Sequence, residues 1–139
     1  MDLSELQSNL GLFEDWSERY HYIIALGQKL PPLGDEDRNE ANKVEGCISQ
    51  VWLKSDVHRN GSPRLSFSGD SDSAIVKGLV AVLRIVYSGK TVHEILAIDL
   101  EQIFRELGLE QHLSPNRRNG FFAMVEEIRR QARILAETG

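Results

Sequence analysis

The chain has 139 residues, of which 41% are hydrophobic and 27% charged, a balance too apolar for a disordered chain and without the run of about 20 apolar residues that a membrane-spanning helix needs. Sixteen Lys and Arg against twenty-one Asp and Glu give a formal charge of −5, which opposes binding to a nucleic-acid backbone unless basic residues cluster. The single cysteine excludes an intramolecular disulfide and any zinc or iron–sulfur site built from several thiolates.

The size predicts one domain spanning residues 1–139. Met1 to Leu10 carries Asp2 and Glu5 where a secretory leader carries basic residues and then an apolar run, so a reducing, cytoplasmic setting is expected. The dense basic pairs, Arg117-Arg118 and Arg129-Arg130, fall in helical segments, where solvated surface accounts for them.

Leu3, Leu6, Leu10 and Phe13 recur at helical spacing and open the chain with a helix that Gly11 weakens. A second helix follows from Asp15, with Trp16, Tyr20, Ile23, Ile24 and Leu26 on a broad apolar stripe and Asp15 or Ser17 as its cap. Gly27 and then Pro31-Pro32 are expected to stop it. Gly34 to Gly46 is polar and without periodicity, a long connection of the kind that small domains keep for binding or catalysis. Ser49 to Val57 alternates as a strand, Asn60-Gly61 is a hairpin signal, and Arg64 to Ser68 returns with Leu65 and Phe67 on one side.

Beyond Gly69, Asp70 or Ser71 is expected to cap a helix carrying Ile75, Val76, Leu79, Val80, Val82, Leu83 and Val86, apolar nearly all round and hence central. Ser88-Gly89 ends it. Thr91 with Glu94, and Asp99 with Gln102, are spaced as capping boxes for two short helices, the second closed by Gly108. Ser114-Pro115 starts a last helix with Phe121, Met124, Val125, Ile128, Ala132 and Leu135 as its core stripe. The predicted architecture is α+β, a small antiparallel β-sheet packed against helices from both ends of the chain.

Most chemical motifs dissolve on inspection. Ser88-Gly89-Lys90-Thr91 imitates the end of a phosphate-binding loop, but the motif needs glycine where Arg84 stands and a strand where the pattern is helical. His21, His58, His93 and His112 are scattered, with none at i, i+4 from another, so no metal site is expected. No Gly-x-Ser-x-Gly pattern marks a serine nucleophile.

Cys47 is different in its position. A lone cysteine is commonly a small buried hydrophobe, yet Cys47 stands where the polar connection meets a strand. Its neighbour Gly46 lets backbone turn sharply and another molecule approach. Amides of Ile48 and Ser49 pointing at the sulfur would favour the thiolate, the form that attacks sulfur electrophiles.

The run Gly46-Cys47-Ile48-Ser49-Gln50-Val51-Trp52 resembles the Gly-Cys-x-Ser-Gln-Val-Trp signature of the SufE family, sulfur-accepting activators of cysteine desulfurases. Three further blocks match in the same order: Tyr22 to Pro31, Gly69 to Leu79, and Gln111 to Arg117. The related CsdE-type proteins share most of them. The resemblance implies that a pyridoxal-phosphate cysteine desulfurase hands sulfur as a persulfide to Cys47, for delivery to a downstream sulfur acceptor or scaffold of iron–sulfur cluster assembly. It implies no cofactor on this chain and no catalysis by it alone. Gly46 would supply loop freedom, Gln50 and Trp52 would hold the strand base, and Asp70, Asp72 and Arg117 would orient the loop or dock the partner. From the residues alone, Asp70 reads equally as a helix cap and Trp52 as a core aromatic. The competing reading is a protein-interaction module with an inert cysteine.

Overall fold

A computed structural model describes residues 1–46, 49–59, 61–110 and 113–138. Two N-terminal helices, α1 (Leu3–Gly11) and α2 (Trp16–Gln28), precede the hairpin β1 (Val51–His58) and β2 (Arg64–Ser71). Then come α3 (Ala74–Tyr87), the short strand β3 (Lys90–Thr91), α4 (Val92–Ala97), α5 (Leu100–Glu106) and α6 (Pro115–Thr138). The strands form an antiparallel sheet in the order β1-β2-β3, so the fold is α+β as the pattern predicts. β3, two residues long, is too short to leave a periodicity and is an addition to the expected pair.

The β1–β2 register sets Val51 against Ser71 and Leu53 against Gly69. Val51, Leu53, Leu65 and Phe67 are all buried, which makes one face of the sheet a wall of the core. Against it lies α3, whose apolar circumference is explained by its place between the sheet and α2. A Cβ on Gly69 would meet Val80 at 2.8 Å, and one on Gly78, on the other side of α3, would meet the Ile23 carbonyl oxygen at 2.3 Å. α6 closes the core with Phe121, Met124, Ile128 and Ala132, and Phe121 stacks obliquely on Phe104 of α5 with ring centroids 5.2 Å apart. One apolar cluster draws on every helix and on β1 and β2. Among the described residues no helix is long and apolar enough to cross a membrane.

Several caps stand as read. Asp15 accepts the Glu18 amide, Thr91 and Glu94 form a reciprocal capping box, and Ser114 Oγ accepts from Arg117. Asp99 accepts the Gln102 amide as a simple cap, but the Gln102 side chain donates to Glu106 and does not complete the expected second box. Two further readings are corrected. Gly27 does not stop α2, which runs on to Gln28; a Cβ there would sit 2.7 Å from the Gly78 amide, so the glycine serves the helix crossing. Asp70 and Ser71 do not cap α3. They are still paired in β2, and the cap is Ser73, whose Oγ accepts the Val76 amide at 3.5 Å.

Candidate functional site

Cys47 and Ile48 lie outside the described residues, as do Asn60, Gln111 and His112. The segments that flank these two residues are tied to the sheet. On the N-terminal side, the Val44 amide donates to the Val51 carbonyl and the Leu53 amide to the Asn42 carbonyl, both at 2.8 Å, and Lys43 bridges to Trp52. The end of the connection therefore runs as a short antiparallel partner along the free edge of β1. Gly46 then takes φ +88°, a left-handed conformation that a side chain disfavours. A Cβ on it would touch Ala123 of α6 at 3.4 Å.

On the C-terminal side, Gln50 is held through its backbone. Its amide donates to Asp72 Oδ1 at 3.0 Å, and its carbonyl accepts from the Ser71 hydroxyl at 2.7 Å and from the Asp72 amide at 3.2 Å. Asp72 and Ser71 thus fix the strand base. Trp52 is half-buried and takes the sheet face opposite Val51 and Leu53; it is not a member of the apolar core.

Next to the cysteine-bearing segment is a cavity of about 380 Å³ between α3 and α6. Ser49 forms one edge, Val76, Leu79, Phe121 and Met124 supply apolar walls, and Ser114, Asn116 and Arg117 bring polar groups. Arg117 is exposed, its guanidinium carbon 5.9 Å from the centre of the Tyr20 ring, a cation–π distance. The structure therefore brings Ser49 and Arg117 to one cleft, with Gly46, Gln50 and Asp72 at the ends of the same segment.

Asp70 stands apart from that cleft in role. It is buried, and its carboxylate receives Arg38 Nε at 2.9 Å, Arg38 Nη2 at 2.8 Å and the Ser71 amide at 2.8 Å, with Lys77 Nζ at 3.5 Å. Burial pushes its pKa up, but the bonds from Arg38 and Ser71 and the charge of Lys77 outweigh it, leaving the carboxyl below its ordinary value. Arg38 also pairs with Asp35 at 2.7 Å, and Lys54 reaches Asp37 at 3.3 Å. The connection from Gly34 is thereby fastened to the sheet through Arg38 and Asp37.

Ser71, Tyr20 and the walls Val76, Phe121 and Met124 carry no chemical signature in the sequence. The walls read only as core stripes, and a cavity lining has the same apolar pattern as a core. Among the described residues no cluster of His, Cys, Asp and Glu could hold a metal ion. Ser88-Gly89-Lys90-Thr91 forms the C-cap of α3, a turn and the short β3, without the strand-to-helix cradle of a phosphate loop.

The chain matches the family model described as SufE, Fe–S metabolism associated domain, over residues 4–132. It is similar to an uncharacterized SufE-like protein of Rhizobium etli, 45% identical over 137 residues that cover 96% of this chain and 91% of the relative. Among solved structures it is similar to the solution structure of a hypothetical protein from Thermus thermophilus, with a TM-score of 0.72 and 25% identity over 100% of both chains.

Proposed function

Because this chain belongs to the SufE family, we propose that it is a one-domain sulfur carrier that takes sulfur onto Cys47 from a cysteine desulfurase and passes it to iron–sulfur cluster assembly. In the proposed step the Cys47 thiolate attacks the terminal sulfur of a persulfide on the partner's own cysteine. A sulfur–sulfur bond forms on Cys47, the partner's inner sulfur–sulfur bond breaks, and the partner cysteine leaves as a thiolate. The sulfane sulfur changes owner with no external oxidant or reductant. Pyridoxal phosphate belongs to the partner in this scheme, and this chain neither degrades cysteine nor needs a cofactor. The reducing cytoplasm suits such a thiol.

The observation that carries the reading is the arrangement around the segment 46–50. Both ends are fixed, by the Gly46 turn against α6 and by the Gln50 hydrogen bonds to Ser71 and Asp72, and a cavity of about 380 Å³ with apolar walls and a polar rim opens beside Ser49. A persulfide is readily oxidised or reduced, and a cavity of this kind is a natural shelter between loading and delivery. Arg117 at the rim and Asp72 at the strand base are the charged groups offered to a docking desulfurase. Gly46 gives the turn, Trp52 and Asp70 secure the strand beneath it, and Arg38 locks Asp70 to the connection. As an interaction module with an inert cysteine, the chain would need none of the sheltering cavity.

Intact mass spectrometry separates the two. Incubated with a desulfurase and free cysteine, the protein should gain one sulfur atom, lost again on treatment with a thiol reductant. Cys47→Ser should melt as the native chain does and gain nothing, because a hydroxyl does not replace a thiolate in this exchange. Full desulfurase stimulation by the Ser variant would refute the carrier reading.

A further inference from the structure

At the opposite end of α3 from the Ser49 cavity, a second cleft of about 440 Å³ lies between the C-terminal ends of α2 and α3 and the strand β2. Leu26, Leu30, Ala81 and Ile85 give it an apolar lining, and Lys29, Arg84, Ser66 and Ser88 give it polar edges. Among the described residues no carboxylate lines it. That is unusual placement for two cations in a chain of net charge −5. Neither Lys29 nor Arg84 has an ion-pair partner among the described residues.

Arg84 is not a loose surface cation. Its Nε donates to the Phe67 carbonyl at 3.1 Å, and Ser88, the C-cap of α3, accepts the Phe67 amide on its Oγ at 2.9 Å. The two side chains complete the edge of β2 beyond the short β3. This fixes the guanidinium while leaving its other N–H donors, and the Ser88 hydroxyl proton, without a protein acceptor among the described residues. The cleft volume falls within the range of small-molecule sites, which combine an apolar body with a few oriented polar groups.

We propose that this cleft binds a small organic anion, with its apolar body against Leu26, Leu30, Ala81 and Ile85 and its carboxylate held by Lys29, Arg84 and the Ser88 hydroxyl. A zwitterionic amino acid is excluded by the same chemistry, because its ammonium group finds no carboxylate in the described lining. Cysteine and alanine are therefore not ligands of this site, which is independent of the sulfur carried at Cys47. Both cations also stand at helix C-termini, where they answer the carbonyl dipoles. If that were their whole role, no ligand would be held.

Amide NMR spectra of the full chain titrated with hexanoate decide between these. Hexanoate should shift the amides of Lys29, Ser66 and Ser88 saturably, and hexanamide, of the same shape without the charge, should bind about tenfold more weakly. Lys29→Met, at an exposed side chain with no hydrogen bond or ion pair among the described residues, should also weaken hexanoate about tenfold. Arg84→Met is the harsher variant because it releases the Phe67 carbonyl, so Lys29→Met is decisive. Shifts that fail to saturate, equal binding of hexanamide, or unchanged affinity in Lys29→Met would each overturn the proposal.

Discussion

Where α2 crosses α3, two helix backbones meet with no side chain between them: Cβ atoms on Gly27 and Gly78 would fall 2.7 and 2.3 Å from the facing helix. The connection from Gly34 to Gly46 reaches the body of the protein mainly through ion pairs, backbone hydrogen bonds and one left-handed glycine, with Val44 as its one buried apolar residue. The first contact is backbone against backbone and close, so it cannot yield without unfolding the core. The second, Val44 apart, is a series of separate polar ties, each worth about 1 kcal/mol net. Such ties can be exchanged for water or for a partner's groups one at a time. The proposed sulfur carrier, which would shelter a sulfur and then present it, would use this division between a rigid frame and a segment fastened by separable ties.

The sharpest way to break the comparison is at the crossing. Gly78→Ala should destabilise the protein by about 3 kcal/mol, since overpacking here presses on backbone that cannot rotate away. Denaturant unfolding at an unchanged slope measures it. At temperatures where the variant remains folded, Cys47 should still accept sulfur. A variant as stable as the native chain would mean that the crossing is not the rigid element.

A smaller loss is expected where the connection is fastened through Asp70. Asp70→Asn should lower the Tm by roughly 5 °C at neutral pH. Because the folded carboxyl titrates below the unfolded value of 3.8, its contribution is complete above that value and is lost as pH falls through the lower folded one. The native Tm should therefore drop across this acid window, and the Asn variant should show a flatter profile there. Parallel profiles would show that Asp70 contributes no charge-dependent stability.

The legible parts of the fold were those written in local pattern. The alternation of Val51 and Leu53, the apolar circumference of α3 and the Thr91–Glu94 box each need only a few neighbouring residues. Gly27 misleads because a glycine near a helix end is statistically a stop, whereas its role here depends on Gly78, which lies far away in sequence. Asp70 misleads because four cap-competent residues, Asp70, Ser71, Asp72 and Ser73, stand in line before α3, and only the β2 register shows which of them are still in the strand. The fastening of the connection is illegible for a related reason: Arg38 meets Asp70 across 32 positions. Cys47 stands out through its loop position and family resemblance, while the Ser71 hydroxyl that holds Gln50 carries no signal apart from its neighbour Asp72.

The smallest expected effect on stability, and the finest test of the releasable segment, is at Asp72. Its carboxylate is exposed and accepts one backbone hydrogen, from Gln50 at 3.0 Å, so removing it should cost no more than about 1 kcal/mol of global stability. That bond sits three residues from Cys47, and the same energy, released locally, corresponds to about a fivefold change in how often the segment opens. Asp72→Ala should therefore raise the rate at which a small haloacetamide alkylates Cys47 in the free protein by about that factor. Asp72→Asn keeps an oxygen acceptor in the same place and should react at the native rate. If Asp72 acts instead through its charge on the desulfurase, the two variants behave alike: both leave alkylation of the free protein unchanged, and both weaken the complex more at low salt than at high. The contrast between Ala and Asn thus assigns Asp72 to holding the segment or to meeting the partner, and equal alkylation in the two variants would remove the Gln50 bond from the proposed sheltering of Cys47.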